Sequence, residues 1–68
     1  MKTLYKYDGC VLDGNNHVRM REYTDYVYAN SKEQAILLLT RRYRKNNNLS
    51  TRAYVKLKEY YLKEVING

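Results

Sequence analysis

Hydrophobic and polar positions change period twice along this chain, and the changes divide it into elements. Residues 2–12 alternate as a strand does, with Thr3, Tyr5 and Tyr7 on one face and Lys2, Leu4 and Lys6 on the other. Asp8-Gly9 interrupts the alternation and Cys10-Val11-Leu12 resumes it, which predicts a bulge or kink at the glycine rather than a full turn. Asp13-Gly14-Asn15-Asn16 then supplies residues that tolerate positive φ, as a tight hairpin turn requires. The return strand is expected over about residues 17–28, with Val18 and Met20 on one face and His17, Arg19 and Arg21 on the other. Its phase slips around Tyr23-Thr24-Asp25, predicting a second bulge, before Tyr26-Val27-Tyr28 completes it.

The period then becomes helical. Ser31, followed three residues later by Gln34, has the form of a capping box. Ala35, Ile36, Leu38, Leu39 and Tyr43 recur at spacings of three and four, an apolar stripe with Leu39 at its centre. Glu33 falls near the positive end of the helix dipole, and Arg41-Arg42-Tyr43-Arg44-Lys45 near the negative end. Asn46-Asn47-Asn48 stops the helix near residue 46.

From Thr51 the period returns to two. Ala53, Val55 and Leu57 face one way; Arg52, Tyr54, Lys56 and Lys58 face the other. Beyond Glu59 two readings stay open. Tyr60-Tyr61-Leu62 suits a continuing or further edge strand, whereas the four-residue spacing of Leu57, Tyr61 and Val65 suits a short helix; we take the strand. The expected fold is α+β, in the order β-β-α-β, with an extra C-terminal strand as its variation. One face of a small antiparallel sheet packs on the amphipathic helix and the other faces solvent. Residues 1–68 make a single domain.

Composition changes what this scaffold is expected to do. Nine tyrosines occur with no phenylalanine or tryptophan, among thirteen Lys and Arg against seven Asp and Glu. Every aromatic thus carries a hydroxyl that needs water or a partner, and rings at half-wet positions beside cations suit base stacking and phosphate contact. The net charge of +6 favours nucleic acid or an acidic protein surface as partner, the alternative being charge kept for solubility. A chain of this size buries only roughly 60% of its unfolded surface, so a homodimer or a larger partner would add burial it lacks.

Other classes are excluded or disfavoured. The longest apolar run, Ala35 to Leu39, falls far short of the roughly 20 residues that span a membrane, and no apolar stretch follows Met1 as in a secretory signal. Cys10 is the single cysteine, which excludes an internal disulfide and fits a reducing cytoplasm. With His17 the single histidine, one chain cannot supply the four Cys and His ligands of a structural zinc site. Nothing orients the imidazole for a Cys10–His17 nucleophilic pair, so a half-buried thiol and a turn-flanking histidine are expected. The acids form no close pair for acid–base work and no glycine-rich loop cradles a nucleotide. No enzyme activity, cofactor or metal is expected.

Two basic sets are candidates for binding. If Val18, Met20, Ala53, Val55 and Leu57 face the helix, then Arg19, Arg21, Arg52, Tyr54, Lys56 and Lys58 share the open sheet face. The return strand and the last strand are expected to be neighbours that both present cations, with few acids among them. An exposed sheet with basic and aromatic residues is one route to DNA or RNA. At 100° per residue, Arg41, Arg44 and Lys45 share the outer side of the helix end, and Arg42 lies nearer the core. These could grip phosphates, or simply complement the dipole. Tyr43 and one of Tyr26 and Tyr28 are expected at the core edge, leaving Tyr54 and Tyr60 as contact candidates.

The stretches Leu4-Tyr5-Lys6-Tyr7-Asp8-Gly9 and Ala29-Asn30-Ser31-Lys32-Glu33-Gln34-Ala35, the basic helix end and the alternating Ala53 to Leu57 carry a resemblance. The chain resembles small accessory proteins of phages and integrative elements in low-GC bacteria. Some phage proteins of this size inhibit host defence, anti-CRISPR proteins among them. The resemblance implies a phage or mobile-element origin, action in the host cytoplasm, and no particular functional residue. Double-stranded RNA-binding domains share the sheet-plus-helix layout, but their second long helix has no counterpart here. The expected function is a non-enzymatic basic module that contacts nucleic acid through its Lys, Arg and Tyr surface. The alternative is a phage-encoded inhibitor of a host defence nuclease, acting by protein–protein contact on an acidic host surface.

Overall fold

In the computed structural model, which describes residues 2–65, the chain forms strands β1 (Thr3–Leu12) and β2 (Val18–Ala29), helix α1 (Lys32–Asn46), and short strands β3 (Lys56–Leu57) and β4 (Leu62–Glu64). The α+β order β-β-α-β is as expected, and the extra C-terminal strand is present. A single 3-10 turn, Glu59–Tyr61, separates β3 from β4, so the terminal helix does not form. The part of the C-terminal reading that falls on residues 66–68 lies outside the described residues, as does Met1.

β1 is the centre of the sheet. β2 pairs with it antiparallel along one edge, from Thr3↔Ala29 to Leu12↔Val18. Along the other edge run β3, through Val11↔Leu57, and β4, through Tyr5↔Glu64 to Tyr7↔Leu62. β3, the 3-10 turn and β4 thus act as one broken strand antiparallel to β1. No described helix is long and apolar enough to cross a membrane.

The hairpin turn is organised by Asp13. Its Oδ1 accepts from the Asn15 and His17 amides at 2.8 and 2.9 Å, and Asn16 takes the left-handed conformation at φ 62°. Those two amide bonds, the Asn15 one foremost, hold the Asp13 carboxyl below its ordinary pKa. The hairpin register shifts between Gly9 and Val11 and again between Val11 and Leu12. Both extra residues belong to β2, in the stretch between Val18 and Tyr23, and not to β1 at Gly9. Residues 23–25 pair in phase, so the bulge expected there lies nearer the turn. The displacement also turns Val18 out: it is 52% exposed and does not face the helix, whereas Met20 packs on the core.

Helix α1 starts and stops by the signals in its sequence. The Ser31 hydroxyl accepts from the Gln34 amide at 3.1 Å, and the Gln34 side chain accepts from the Asn30 amide at 2.6 Å. At the other end Asn48 adopts φ 54°, the Asn48 amide donates to Lys45 O and the Leu49 amide to Arg44 O at 2.8 Å. These are the two bonds of a Schellman motif, with asparagine at the left-handed position. Ala35, Leu39 and Tyr43 are buried against Tyr5, Tyr7, Val11, Val27 and Leu57 from the sheet. Leu39 is fully buried, as its place in the stripe predicts.

The tyrosines do more in the core than their hydroxyls suggest. Tyr5, Tyr7 and Tyr43 are buried, while Tyr23 and Tyr61 pack against them partly exposed. Ring centroids run from Tyr43 to Tyr23 at 5.5 Å, Tyr23 to Tyr7 at 5.9 Å, and Tyr7 to Tyr61 at 6.1 Å. Neither Tyr26 nor Tyr28 belongs to this edge, contrary to expectation: they are 49% and 62% exposed. Alternation explains it, because in-phase pairing of residues 23–29 turns Tyr23, Asp25, Val27 and Ala29 inward and Thr24, Tyr26 and Tyr28 outward.

Candidate functional site

The cations expected on one sheet face are exposed, but the strand order does not set them on adjacent strands. Arg19, Arg21, Arg52, Tyr54, Lys56 and Lys58 all face solvent. However, β1 lies between β2 and β3, so the two strands that carry them are not neighbours. Arg52 follows a tight turn in which the Ala53 amide donates to Ser50 O, and only Lys56–Leu57 of the expected last strand pairs. Burial still alternates there, with Val55 and Leu57 in and Tyr54 and Lys56 out. Arg19 Nε donates to Tyr54 O at 3.1 Å, and the Tyr54 ring lies beside Gly14. Arg19 and Tyr54 therefore tie the hairpin turn to the loop before β3. The Lys58 amide donates to the Tyr7 hydroxyl at 3.1 Å, leaving its side chain outside.

The helix-end set does converge. Arg41, Arg44 and Lys45 line one open groove with Leu49 and Thr51. Arg44 is less free than expected of an outer-side residue, since it is half-buried and its Nε donates to Ala53 O at 2.9 Å. Arg42 lies nearer the core, as its helical angle predicts, and its Nη1 meets Asp25 Oδ1 at 3.0 Å and Tyr26 O at 2.7 Å. Burial by itself would raise the Asp25 carboxyl. The Tyr23 hydroxyl, the Tyr26 amide and the Arg42 guanidinium outweigh it and hold Asp25 below the ordinary carboxylate value. In return, burial first and the bond to Asp25 second push the Tyr23 phenol well up.

A third surface was not among the sequence candidates as a set. On the sheet face away from α1, Tyr26, Lys6 and Lys63 fall in one row across β2, β1 and β4. Beside that row a groove is lined by Lys6, Asp8, Tyr60, Tyr61 and Lys63. Tyr60, expected as a contact residue, is 85% exposed. The Lys6 ammonium lies 5.9 Å from the centre of the Tyr26 ring, within cation–π reach. Alternation in residues 2–12 already puts Lys6 opposite the tyrosines that turn inward. The row was illegible without the pairing of β4 to β1, which no local pattern states.

Cys10 is half-buried and His17 sits exposed at the turn, 4.0 Å from Asp13 Oδ2. The Tyr61 phenol is raised chiefly by the adjacent Cys10. No protein-family model matches this chain, and no curated protein or solved structure is detectably similar to it.

Proposed function

We propose that the chain is a non-enzymatic nucleic-acid-binding module that recognises backbone and shape more than sequence. One observation carries this reading. Of thirteen Lys and Arg side chains, Arg42 alone lies within 4.0 Å of a carboxylate among the described residues. The remaining cations are not spent on internal ion pairs, and they spread over the hairpin, the helix end and the open sheet face. A net charge of +6 held this way attracts a polyanion from a distance and neutralises phosphates on contact. Exposed Tyr26, Tyr28, Tyr54 and Tyr60 add rings that no core packing requires. The reading goes with a reducing compartment, the host cytoplasm if the chain is phage-encoded.

A mobility-shift assay with the full chain on DNA and RNA tests it. Binding should be clear at about 50 mM salt and fall steeply by about 200 mM, because each neutralised phosphate releases counterions. Absence of binding to both nucleic acids at the lower salt would refute the reading. A host protein with an acidic surface, as for a defence inhibitor, would then be the partner to seek.

A further inference from the structure

The groove between β1 and β4 holds charges that the stability of the sheet does not require. Lys6 and Lys63 stand directly opposite each other across the two strands, and like charges in that position destabilise a sheet. Neither has a carboxylate within ion-pair distance among the described residues. Asp8, on the same wall, instead accepts from the Thr24 hydroxyl at 3.3 Å. Tyr60 lines the groove as an 85% exposed residue whose ring meets that of Tyr61 nearly at right angles, centroids 5.3 Å apart, and Tyr26 prolongs the row beyond Lys6.

An anion between the two ammonium groups would relieve their repulsion, and an exposed flat ring next to it favours a planar partner. A phosphate joined to an unstacked base supplies both, whereas a duplex keeps its base faces hidden. We propose that this groove binds single-stranded nucleic acid, with Lys6 and Lys63 holding a backbone phosphate and a base stacked on Tyr60. This inference rests on the nucleic-acid reading and deepens it. At about 400 Å3 the groove has the size of a site for one small ligand group. Asp8, whose carboxylate accepts and does not donate, turns phosphate away from its end and faces the N–H groups of a base edge. The strand therefore lies with its phosphate at the Lys6–Lys63 end and its base toward Tyr60 and Asp8.

Fluorescence anisotropy with a short labelled single strand, and with the matching duplex, tests the site. The single strand should bind more tightly than the duplex. Replacing Lys6→Gln and Lys63→Gln together should make log K less steep in log salt by roughly 0.7, the share of the one phosphate they hold on a single strand. The same variant should melt near the wild-type temperature, since it removes the lysine repulsion together with the Lys6–Tyr26 contact, so weaker binding cannot be put down to unfolding. Tyr60→Ala should weaken binding by roughly 5- to 150-fold, and Tyr60→Phe should stay near wild type, because stacking needs the ring. A duplex preference, or unchanged binding in these variants alongside loss in Arg41→Ala with Lys45→Ala, overturns this site and leaves the broader reading standing. No binding of either form at about 50 mM salt removes both.

Discussion

At the scale of single residues, Gly9 shows a glycine selected by space rather than by backbone angle. No described glycine has positive φ. A Cβ at Gly9 would come within 2.7 Å of Tyr61 Cβ and closer still to Cγ. Those atoms are at the root of the side chain, where rotation offers little escape, and the Tyr61 ring is held edge-on against Tyr7. The ring covers the glycine and compensates for the side chain the strand lacks there. Gly9→Ala should therefore cost roughly 1–3 kcal/mol, as overpacking does. Urea melts of Gly9→Ala and Gly9→Ala/Tyr61→Ala check this. The second change should recover part of the loss if the clash is with that ring, and deepen it if the ring serves elsewhere. The interruption at Asp8-Gly9 was visible in the sequence; its cause was not, because Tyr61 lies 52 positions on and reaches Gly9 only through the long return of the chain.

At the scale of elements, the edge strand β2 is guarded by a side-chain pair. The Tyr26 amide donates to Asp25 Oδ1 at 2.8 Å and its carbonyl accepts from Arg42 Nη1 at 2.7 Å. Groups that an edge would offer to another strand are thus occupied from within the chain. Arg42→Ala should cost roughly 1–3 kcal/mol near neutral pH, since it leaves the half-buried Asp25 carboxylate and the Tyr26 carbonyl short of a donor. The sign of its pH dependence follows from the lowered pKa of Asp25. A depressed carboxyl contributes fully above its unfolded value, near 3.9, and that contribution is lost as pH falls through the folded value. Stability curves of wild type and Arg42→Ala should therefore run apart above about pH 4 and converge in stronger acid; parallel curves would mean that Asp25 does not carry the effect. Light scattering at high protein concentration should also show the variant associating where wild type does not, through the opened edge. Helix α1 was legible from end to end, because caps, stripe and stop are all local. The sheet was legible only in part. Strand periods gave β1 and β2, but strand order places β1 between the cations of β2 and β3, and two extra residues in β2 turn Val18 outward.

At the scale of the whole molecule, the core is aromatic without a single phenylalanine, and this ties the fold to alkaline pH as well as acid. Two tyrosine hydroxyls inside the fold have structural partners. Tyr7 donates to Cys10 O at 2.6 Å and accepts from the Lys58 amide, which joins β1 to the segment after β3. Tyr23 donates to Asp25 at 2.8 Å. Composition announced these hydroxyls and pointed them at a ligand; those of Tyr7 and Tyr23 are bonded inside the fold instead, and Tyr26, Tyr28, Tyr54 and Tyr60 are the ones that face outward. Burial is the main reason the Tyr7 and Tyr23 phenols are raised. A raised phenol favours folding fully below its unfolded value, near 10, and that share is lost as pH climbs through the folded value. Melting temperature should accordingly hold steady through mild alkali and fall once the pH passes about 10. Ionisation of the inward tyrosines, followed by ultraviolet absorbance, should coincide with loss of the far-ultraviolet circular dichroism rather than precede it. Tyr23→Phe removes one titrating phenol and should flatten the alkaline fall while lowering stability at neutral pH, where the bond to Asp25 is lost. If every tyrosine ionised while the sheet stayed intact, the hydroxyls of Tyr7 and Tyr23 would not be the staples that their geometry makes them.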